Sequence, residues 1–396
     1  MTESRLPVLM MVMFLGVVSG LSFGLHLYAL QRLQVMLSPS LDLGVFSTSP
    51  EVQFASWPLA IGLTVFMCSY FTIGKLLSPR SFRWLAWASS LWMGALALIF
   101  IWGGAYHIVE KLLEQFGQTA PKHTGLLPFT AALLMWGIGV RNALNPPRLE
   151  QVTLQSAALP DSLCGLRIVQ ISDIHIGPTL GKSFLQDIVT RIDTLKPDLI
   201  VITGDLVDGD VAMLREDVAP IFELTAPLGV FFITGNHELI SGVDPWVQHL
   251  EKGGITVLQN DSQVLEHNNT PFNLVGVEDW DSARFHPTRT PSLGEALRSA
   301  DTTRFTILLA HQPKAIQEAC KQGIDIQLSG HTHGGQIAPF SYLIYLDQPY
   351  RRGLYQVEET LLYVNEGTGY WGPPLRIGTR SEITELTLQK TSALHA

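Results

Sequence analysis

Two hydropathy patterns divide the chain. The first 144 residues contain four long apolar stretches, whereas the rest alternates short apolar runs with polar segments. A helix that spans a bilayer needs about 20 apolar residues. The first part is therefore predicted to be an all-α transmembrane region, residues 1–144, of about four helices at about 6–30, 54–76, 84–106 and 123–141. The fourth stretch is the weakest, since it is short and contains Pro128.

The first stretch has one alternative, a cleaved signal peptide, but it is long for that role and three further stretches follow it. The distribution of positive charge predicts the orientation, because Lys and Arg of short loops stay on the cytoplasmic side. With four spans, six such residues lie on one side and three on the other. We therefore expect a multi-pass protein of the plasma (inner) membrane with a cytoplasmic second half. Without the fourth span, the orientation would be reversed.

The second part of the chain has the pattern of an α/β domain. Residues 145–164 are polar and include Pro146, Pro147 and Pro160, so they are predicted to be a linker into a domain at 165–396. After the linker, short runs rich in Ile, Val, Leu and Phe alternate with polar stretches that can form helices. This alternation is typical of a buried sheet covered by helices.

Five of these apolar runs end directly before residues that bind metals. The runs are 166–172, 199–203, 230–234, 305–310 and 324–329. In α/β sheets, the ligand crevice lies at the carboxyl ends of the strands. Any one of these motifs occurs by chance in many chains, but five in one order predict a site. Its members are Asp173, His175, Asp205, Asn236, His237, His311, His331 and His333.

The composition narrows the chemistry of this site. Charged residues make up only 15% of the chain, against about 25% in a typical soluble protein, which supports a lipid-embedded part. The second half is acidic, so no nucleic-acid binding is expected, because that activity needs a basic face. The three cysteines are far apart and form no CxxC motif, which argues against a thiolate zinc site. A mixture of Asp, Asn and His suits divalent cations instead.

The motifs DxH, GDxxD, GNHE, a histidine at a strand end and GHTH, in this order, resemble the calcineurin-like metallophosphoesterase superfamily. The later segments 334–336, 365–369 and 373–376 resemble its membrane-anchored bacterial branch. That branch includes enzymes that act on phosphodiesters and some that cleave the pyrophosphate of UDP-diacylglucosamine. The resemblance covers roughly residues 165–390 and implies an αββα sandwich, a metallophosphoesterase fold of two sheets faced by helices.

The resemblance also implies a role for each residue of the site. One metal would be bound by Asp173, His175 and His333, and the other by Asn236, His311 and His331. Asp205 would bridge the two metals, and His237 would contact the substrate phosphate or the leaving group. Asp208 is predicted to be a partner that orients a histidine, and the alternative is a solvated loop carboxylate.

These assignments predict direct hydrolysis. Two divalent ions about 3.5–4 Å apart hold the phosphate oxygens and lower the pKa of a bridging water, whose hydroxide attacks phosphorus. His237 then acts as the proton donor to the leaving oxygen, and is the catalytic residue in this scheme. Manganese is the metal that the resemblance favours, while the ligand types also accept zinc or iron.

The substrate is less well defined by the sequence. Residues 339–354 are mainly apolar and aromatic and include an arginine pair. This composition is typical either of an apolar surface that faces a lipid-linked substrate or of an ordinary strand with a core patch. The first interpretation makes Arg351, Arg352 and Arg376 substrate-binding residues. We expect a substrate with a phosphodiester or pyrophosphate bond, linked to a lipid. The alternative is a soluble nucleotide. A membrane sensor that uses the metal domain only for binding is the alternative from another class.

Overall fold

The computed structural model describes residues 16–33, 50–72, 79–119, 124 and 126–391. The chain divides into two compact units, Met1–Arg141 with Gly372–Leu375 and Asn142–Trp371 with Arg376–Ala396. The first unit contains the apolar helices that the sequence predicts. The second contains both β-sheets and all the predicted site residues.

Four helices are described in the N-terminal region: α1 (16–33), α2 (Pro50–Thr72), α3 (Pro79–Gln115) and α4 (Leu126–Leu144). Among the described residues, only two helices are long and apolar enough to cross a bilayer, Ser81–Gln115 within α3 and Leu126–Leu144. These two correspond to the predicted spans 84–106 and 123–141. The second of them is the one whose sequence signal was weakest.

The prediction of about four spans is therefore corrected to two among the described residues. In the region predicted as 54–76, the apolar part of α2 is Ser56–Phe71, which is shorter than the about 20 residues that a span needs. The first predicted span, 6–30, lies partly outside the described residues. Hydropathy alone overestimated the number because it does not register where a helix ends.

The described part of the first unit buries one histidine. His26 Nδ1 contacts Ser22 O at 2.7 Å and the Thr64 hydroxyl at 3.1 Å, and Trp92 Nε1 donates to His26 Nε2 at 2.9 Å. These partners satisfy both ring nitrogens and connect α1 with α2 and α3. Such polar contacts hold apolar helices together in a lipid environment.

The second unit contains two six-stranded sheets. The first sheet has the order β1-β12-β2-β3-β4-β5, and the second has the order β10-β11-β9-β8-β7-β6. The strands are β1 (Arg148–Ser156), β2 (Arg167–Ile171), β3 (Leu199–Ile202), β4 (Val230–Phe232), β5 (Thr256–Val257), β6 (Asp261–His267), β7 (Thr270–Gly276), β8 (Thr306–Leu309), β9 (Ile326–Ser329), β10 (Gly353–Val357), β11 (Thr360–Val364) and β12 (Glu382–Lys390).

The pairing of these strands aligns the predicted strand ends. In the first sheet, β2 through β5 are parallel, with Ile168 opposite Leu199. In the second, β7, β8, β9 and β11 are parallel. Parallel neighbours end at the same edge of a sheet, so the loops after β2, β3 and β4 lie side by side. The same holds for the loops after β8, β9 and β11.

Short helices connect these strands. They are α5 (Lys182–Leu195), α6 (Val211–Val218), α7 (Asn236–Ser241), α8 (Val243–Lys252), α9 (Ser282–Phe285), α10 (Leu293–Ala296) and α11 (Ile316–Lys321), and the 3₁₀ helices His333–Gly335 and Phe340–Leu346 follow β9. Helices between parallel strands are the usual crossover connection, which explains the alternating pattern of the sequence.

The hydrophobic core lies mainly between the two sheets. Alternate residues of both sheets meet there, for example Ile168 and Val201 of the first sheet and Ile307 and Leu328 of the second. Helices α10 and α11 cover the other face of the second sheet, where Ile316 packs in a separate cluster. Strands β2 and β3 are buried on both faces. The α/β class and the two-sheet arrangement are therefore confirmed.

The predicted linker 145–164 contains regular structure. Strand β1 pairs in parallel with β12, and Leu154 and Leu159 are buried in the core between the sheets. The prolines at 146, 147 and 160 lie outside β1, where they do not interrupt its hydrogen bonds. The strand was not apparent from the sequence because its partner is at the opposite end of the domain.

Candidate metal centre

The predicted site residues lie at the carboxyl ends of the central strands of both sheets. Asp173 and His175 follow β2, and Asp205 follows β3. Asn236 begins α7 after β4, His311 follows β8, and His331 and His333 follow β9. The two sheets meet at this edge. The structure thus brings side chains from five separate segments into one buried site.

The first group consists of Asp173, His175 and His333, whose ligand atoms all lie within 4.8 Å of one another. The His175 and His333 Nε2 atoms are 3.0 Å apart, and His333 Nε2 is 3.4 Å from Asp173 Oδ1. All three side chains are nearly inaccessible to solvent. Two ring nitrogens and a carboxylate oxygen therefore converge on one point, which is the arrangement that binds a divalent cation.

A second group contains Asp205, His311 and His331. His311 Nε2 is 3.2 Å from both Asp205 Oδ2 and His331 Nδ1. Asp205 Oδ2 also lies 4.0 Å from His175 Nε2 in the first group. One carboxylate oxygen therefore faces both groups, as a ligand bridging two metals requires.

Asn236 is a candidate fourth member of the second group, on different evidence. Its Oδ1 atom is buried and has no hydrogen-bond partner among the described residues. A buried amide oxygen without a partner costs free energy, about 1–3 kcal/mol, unless something binds it. Its position directly after β4, beside the Asp205 loop, makes it available as a further oxygen ligand. The donor set therefore fits two divalent cations.

The backbone around the site has an uncommon conformation. Asp173, His175, Asp205, His331 and His333 all have positive φ, between 50° and 71°. Such values are rare for residues other than glycine and cluster at functional sites. The neighbouring glycines leave space for this arrangement, since a Cβ at Gly235 would overlap Asp205 Oδ1.

Burial and neighbouring charges determine the protonation of the histidines. Burial and the adjacent His175 and Arg376 lower the pKa of His333 well below its ordinary value. Burial and the adjacent His311 lower the pKa of His331 to about 3. Both rings are therefore neutral at physiological pH, which is the form that binds metals.

His237 lies beside the two groups and is paired with Asp208. Its Nδ1 is 2.6 Å from Asp208 Oδ1, and its backbone N–H donates to Asp205 Oδ1 at 2.8 Å. Although burial opposes protonation, Asp205 and Asp208 raise the pKa of His237 to about 9. The half-exposed ring of Trp371 packs against His237, with 5.6 Å between ring centroids. His237 thus has the contacts of an oriented proton donor.

Glu238 is a site residue that our sequence analysis did not single out. Its buried carboxylate accepts hydrogen bonds from the backbone N–H groups of Asp205, Leu206, Val207 and Gly235, at 2.7–3.2 Å. It therefore joins the loop after β3 to the loop after β4. The available signal was the GNHE motif itself, in which Glu238 occupies the N3 position of α7 and closes a capping box.

The three arginines predicted to bind substrate occupy different environments. Arg376, predicted to contact the substrate, is fully buried and donates to backbone carbonyls. Arg352 pairs with Glu366 at 3.3 Å and donates to Gly378 O. The Arg351 guanidinium lies over the Tyr342 ring, 5.7 Å from its centroid. Because arginine charge gives no information on burial, the sequence did not separate these three roles.

The sequence of the chain is similar to those of known metallophosphoesterases. A family model for calcineurin-like phosphoesterases matches residues 166–335. The chain is 36% identical over 368 residues to a "Transmembrane protein with metallophosphoesterase domain" of Danio rerio, a match that covers 86% of this chain and 82% of that protein. It is 37% identical over 300 residues to an "Uncharacterized metallophosphoesterase" of Helicobacter pylori, covering 74% of this chain and 79% of that one.

A solved structure of a dimetal phosphatase from Danio rerio has a TM-score of 0.37 and 13% identity to this chain, covering 57% of this chain and 99% of that one. The sequence relatives carry the assignment. The site and these relatives define a metal-dependent phosphoesterase, a hydrolase. The chain belongs to the calcineurin-like metallophosphoesterase family. The two apolar helices among its described residues and its transmembrane relatives indicate association with a membrane.

Proposed function

We propose that the protein is a multi-pass enzyme of the plasma membrane that hydrolyses a phosphodiester or pyrophosphate bond in a lipid-linked substrate. The observation that carries this proposal is an exposed apolar segment directly beside the metal centre. The segment is the 3₁₀ helix Phe340–Leu346, called here the apolar lip.

The apolar lip is attached to the loop that bears His333. Ser341 is buried and packs so closely on Gly335 that a Cβ at Gly335 would overlap it. The large side chains point outward instead, and Leu346 is 86% exposed. Its other exposed members are Phe340, Tyr342, Leu343 and Tyr345. Contiguous exposed apolar side chains mark surfaces that bind lipids or proteins, and this surface adjoins the groups that would hold phosphate.

Arg351 supplies a cation at the same place. Its guanidinium lies over the Tyr342 ring of the apolar lip, and its backbone carbonyl accepts a hydrogen bond from Thr332 between the two GHTH histidines. A substrate with an anionic phosphate and an apolar tail would bind Arg351 through its phosphate and the apolar lip through its tail. Guanidinium groups suit phosphate because their planar donors match its oxygens.

The chemistry follows from the residues of the centre. Two bound divalent ions, manganese in our proposal, would supply Lewis-acid activation of the phosphate and of a water molecule. Asp173, His175 and His333 would hold one ion, and Asn236, His311 and His331 the other. Asp205 would bind both. His237, held by Asp208, would donate a proton to the leaving oxygen.

Competing substrates test the lipid-linked proposal. The protein in detergent with Mn²⁺ would be assayed on bis-p-nitrophenyl phosphate and on a lipid-linked pyrophosphate such as UDP-diacylglucosamine. We expect Leu343→Ser combined with Leu346→Ser to reduce hydrolysis of the lipid substrate about tenfold or more, while the soluble diester is hydrolysed as before. The matched control is Val264→Ser, which removes an exposed apolar side chain from strand β6. Equal loss on both substrates would contradict the proposal.

A soluble nucleotide is the second candidate substrate, and one cleft favours it. This cleft of about 580 Å³ is lined by aromatic, basic and acidic side chains of the second unit, including Trp280, Lys314, Lys321, Tyr345 and Asp347. Rings and lysines of this kind suit a base and its phosphates. Faster hydrolysis of soluble nucleotides than of any lipid, with Trp280→Ala raising KM, would favour this alternative.

The proposed cytoplasmic orientation is testable with a native cysteine. Cys164 is exposed in the second unit, whereas Cys68 and Cys320 are partly buried. In a Cys68→Ser and Cys320→Ser background, we expect a membrane-impermeant maleimide to label Cys164 only after the cells are permeabilised. Labelling in intact cells would place the catalytic unit outside.

A further inference from the structure

Arg376 is a charged side chain without access to solvent. Its Nη2 atom contacts the backbone carbonyls of Glu366, Gly367 and Gly369 at 2.9, 3.3 and 2.6 Å, and Nη1 contacts His333 O at 3.3 Å. Burial of a charge is costly unless hydrogen bonds compensate for it. A guanidinium is suited to this place because it offers five donors in one plane.

These carbonyls belong to one loop that follows β11. The loop also bonds to the backbone at the end of β2, where Thr368 N donates to Ser172 O at 2.7 Å and Gly369 N donates to Asp173 O at 3.0 Å. Gly367 has φ of +84°, and a Cβ on it would lie 2.9 Å from His333 Nδ1 and 3.3 Å from Asp173 Cβ. The loop is therefore packed directly against two members of the first group.

The contacts of Arg376 are asymmetric with respect to the two groups. Its guanidinium and its loop touch Asp173 and His333, which belong to the first group. In the described part of the chain, Arg376 forms no hydrogen bond with Asp205, His311 or His331 of the second group. The second group is stabilised elsewhere, through the Glu238 carboxylate beneath the Asp205 loop.

We propose that Arg376 is a positioning residue for one metal ion only, the ion bound by Asp173, His175 and His333. It fixes the loop Glu366–Gly369 against Asp173 and His333, so that both ligands keep their orientation. This inference rests on the proposed two-metal function. The sequence predicted that Arg376 contacts the substrate. In this proposal it instead keeps the metal ligands Asp173 and His333 in position.

The test measures metal binding rather than hydrolysis. Full-length protein in detergent would be loaded with Mn²⁺ and dialysed, and its metal content would be determined by mass spectrometry. Wild type should keep two equivalents. In Arg376→Gln we expect one equivalent to bind about 10–100-fold more weakly, as is typical when a partner of a metal ligand is lost. The electron paramagnetic resonance spectrum should change from a coupled pair of Mn²⁺ ions to a single ion.

Two further variants separate positioning from folding. Gly367→Ala keeps the Arg376 side chain, but its Cβ would lie 2.9 Å from His333 Nδ1 and 3.0 Å from Arg376 Nη2, so it should weaken the same ion. Arg376→Lys keeps the charge with fewer donors and should give an intermediate affinity. Arg298→Gln, with a side chain 78% exposed, and Gly294→Ala, at an open position, are the matched controls. At saturating Mn²⁺, kcat of Arg376→Gln should recover to within about threefold of wild type.

Each remaining outcome has a defined meaning. If wild type keeps two ions while Arg376→Gln keeps both with unchanged affinity, the inference is overturned and the proposed function stands. Equal weakening of both ions would also overturn it, since that result indicates general structural damage. If Arg376→Gln does not fold, Gly367→Ala decides the question by the same measurement. If wild type binds fewer than two ions, the two-metal function itself fails.

Discussion

His237 Nδ1 lies 2.6 Å from Asp208 Oδ1, and the same carboxylate oxygen lies 3.0 Å from His175 Nδ1. One carboxylate therefore contacts both the proposed proton donor and a proposed metal ligand. Although burial opposes ionisation, His175 and His237 lower the pKa of Asp208 below its ordinary value. Asp208 is thus ionised and orients both rings through their Nδ1 atoms.

The Asp208 contact predicts a double effect of Asp208→Asn. The amide keeps one acceptor but loses the charge that holds two imidazole rings. We expect kcat to fall about 10–100-fold and the affinity for one metal ion to fall as well. Steady-state kinetics over a range of Mn²⁺ concentrations would separate the two effects. Asp193→Asn, in an exposed part of α5, should behave as wild type.

His237→Ala should affect catalysis without affecting metal content. Its ring contacts Asp208, His175 and Trp371, and His237 belongs to neither the group of Asp173 nor the group of Asp205. Loss of a general acid lowers kcat roughly 10²–10⁴-fold. The checks are kcat and the number of bound ions in the same preparation, with His267→Ala on strand β6 as the control. Loss of an ion from His237→Ala would make this residue a ligand instead.

Gly330→Ala should disrupt the metal centre through steric overlap. A Cβ at this position would overlap Ser172 Oγ and Asp173 Oδ2, both of which are buried. Overpacking of this kind costs about 1–3 kcal/mol, and here it would also displace a ligand. We expect a lower melting temperature and fewer bound ions. Gly294→Ala has open space for its methyl group, and a similar loss in that variant would contradict the steric explanation.

Removal of metal should destabilise the second unit as well as abolish activity. Asp173 and Asp205 are buried together with three histidines, His175, His311 and His333, and bound cations would offset the repulsion between the two carboxylates. A ligand that binds only the folded state stabilises it by about 2.7 kcal/mol at 100 times its Kd. Chelation should therefore lower the melting temperature, and added Mn²⁺ should restore it. His311→Ala should show a smaller Mn²⁺-dependent shift.

The types of ligand and the strands that precede them followed from the sequence. Strand ends can be recognised locally, because a short apolar run followed by Asp or His produces a pattern over fewer than ten residues. The rule that ligands bind at the carboxyl ends of strands then predicted that Asp173, Asp205 and His311 would lie close together. Those expectations depended on local patterning and on a general property of α/β sheets.

Only the tertiary structure decided the features that depend on distant partners. His175 and His333 are 158 positions apart, yet their Nε2 atoms lie 3.0 Å from each other. Strand β1 was taken for linker because it pairs with β12 from the other end of the domain. The sequence shows the charge of Arg376 but not its burial. Only the structure shows that this side chain is buried beside His333 rather than exposed to a substrate. Local patterns specify which groups are available, whereas long-range packing determines what each group contacts.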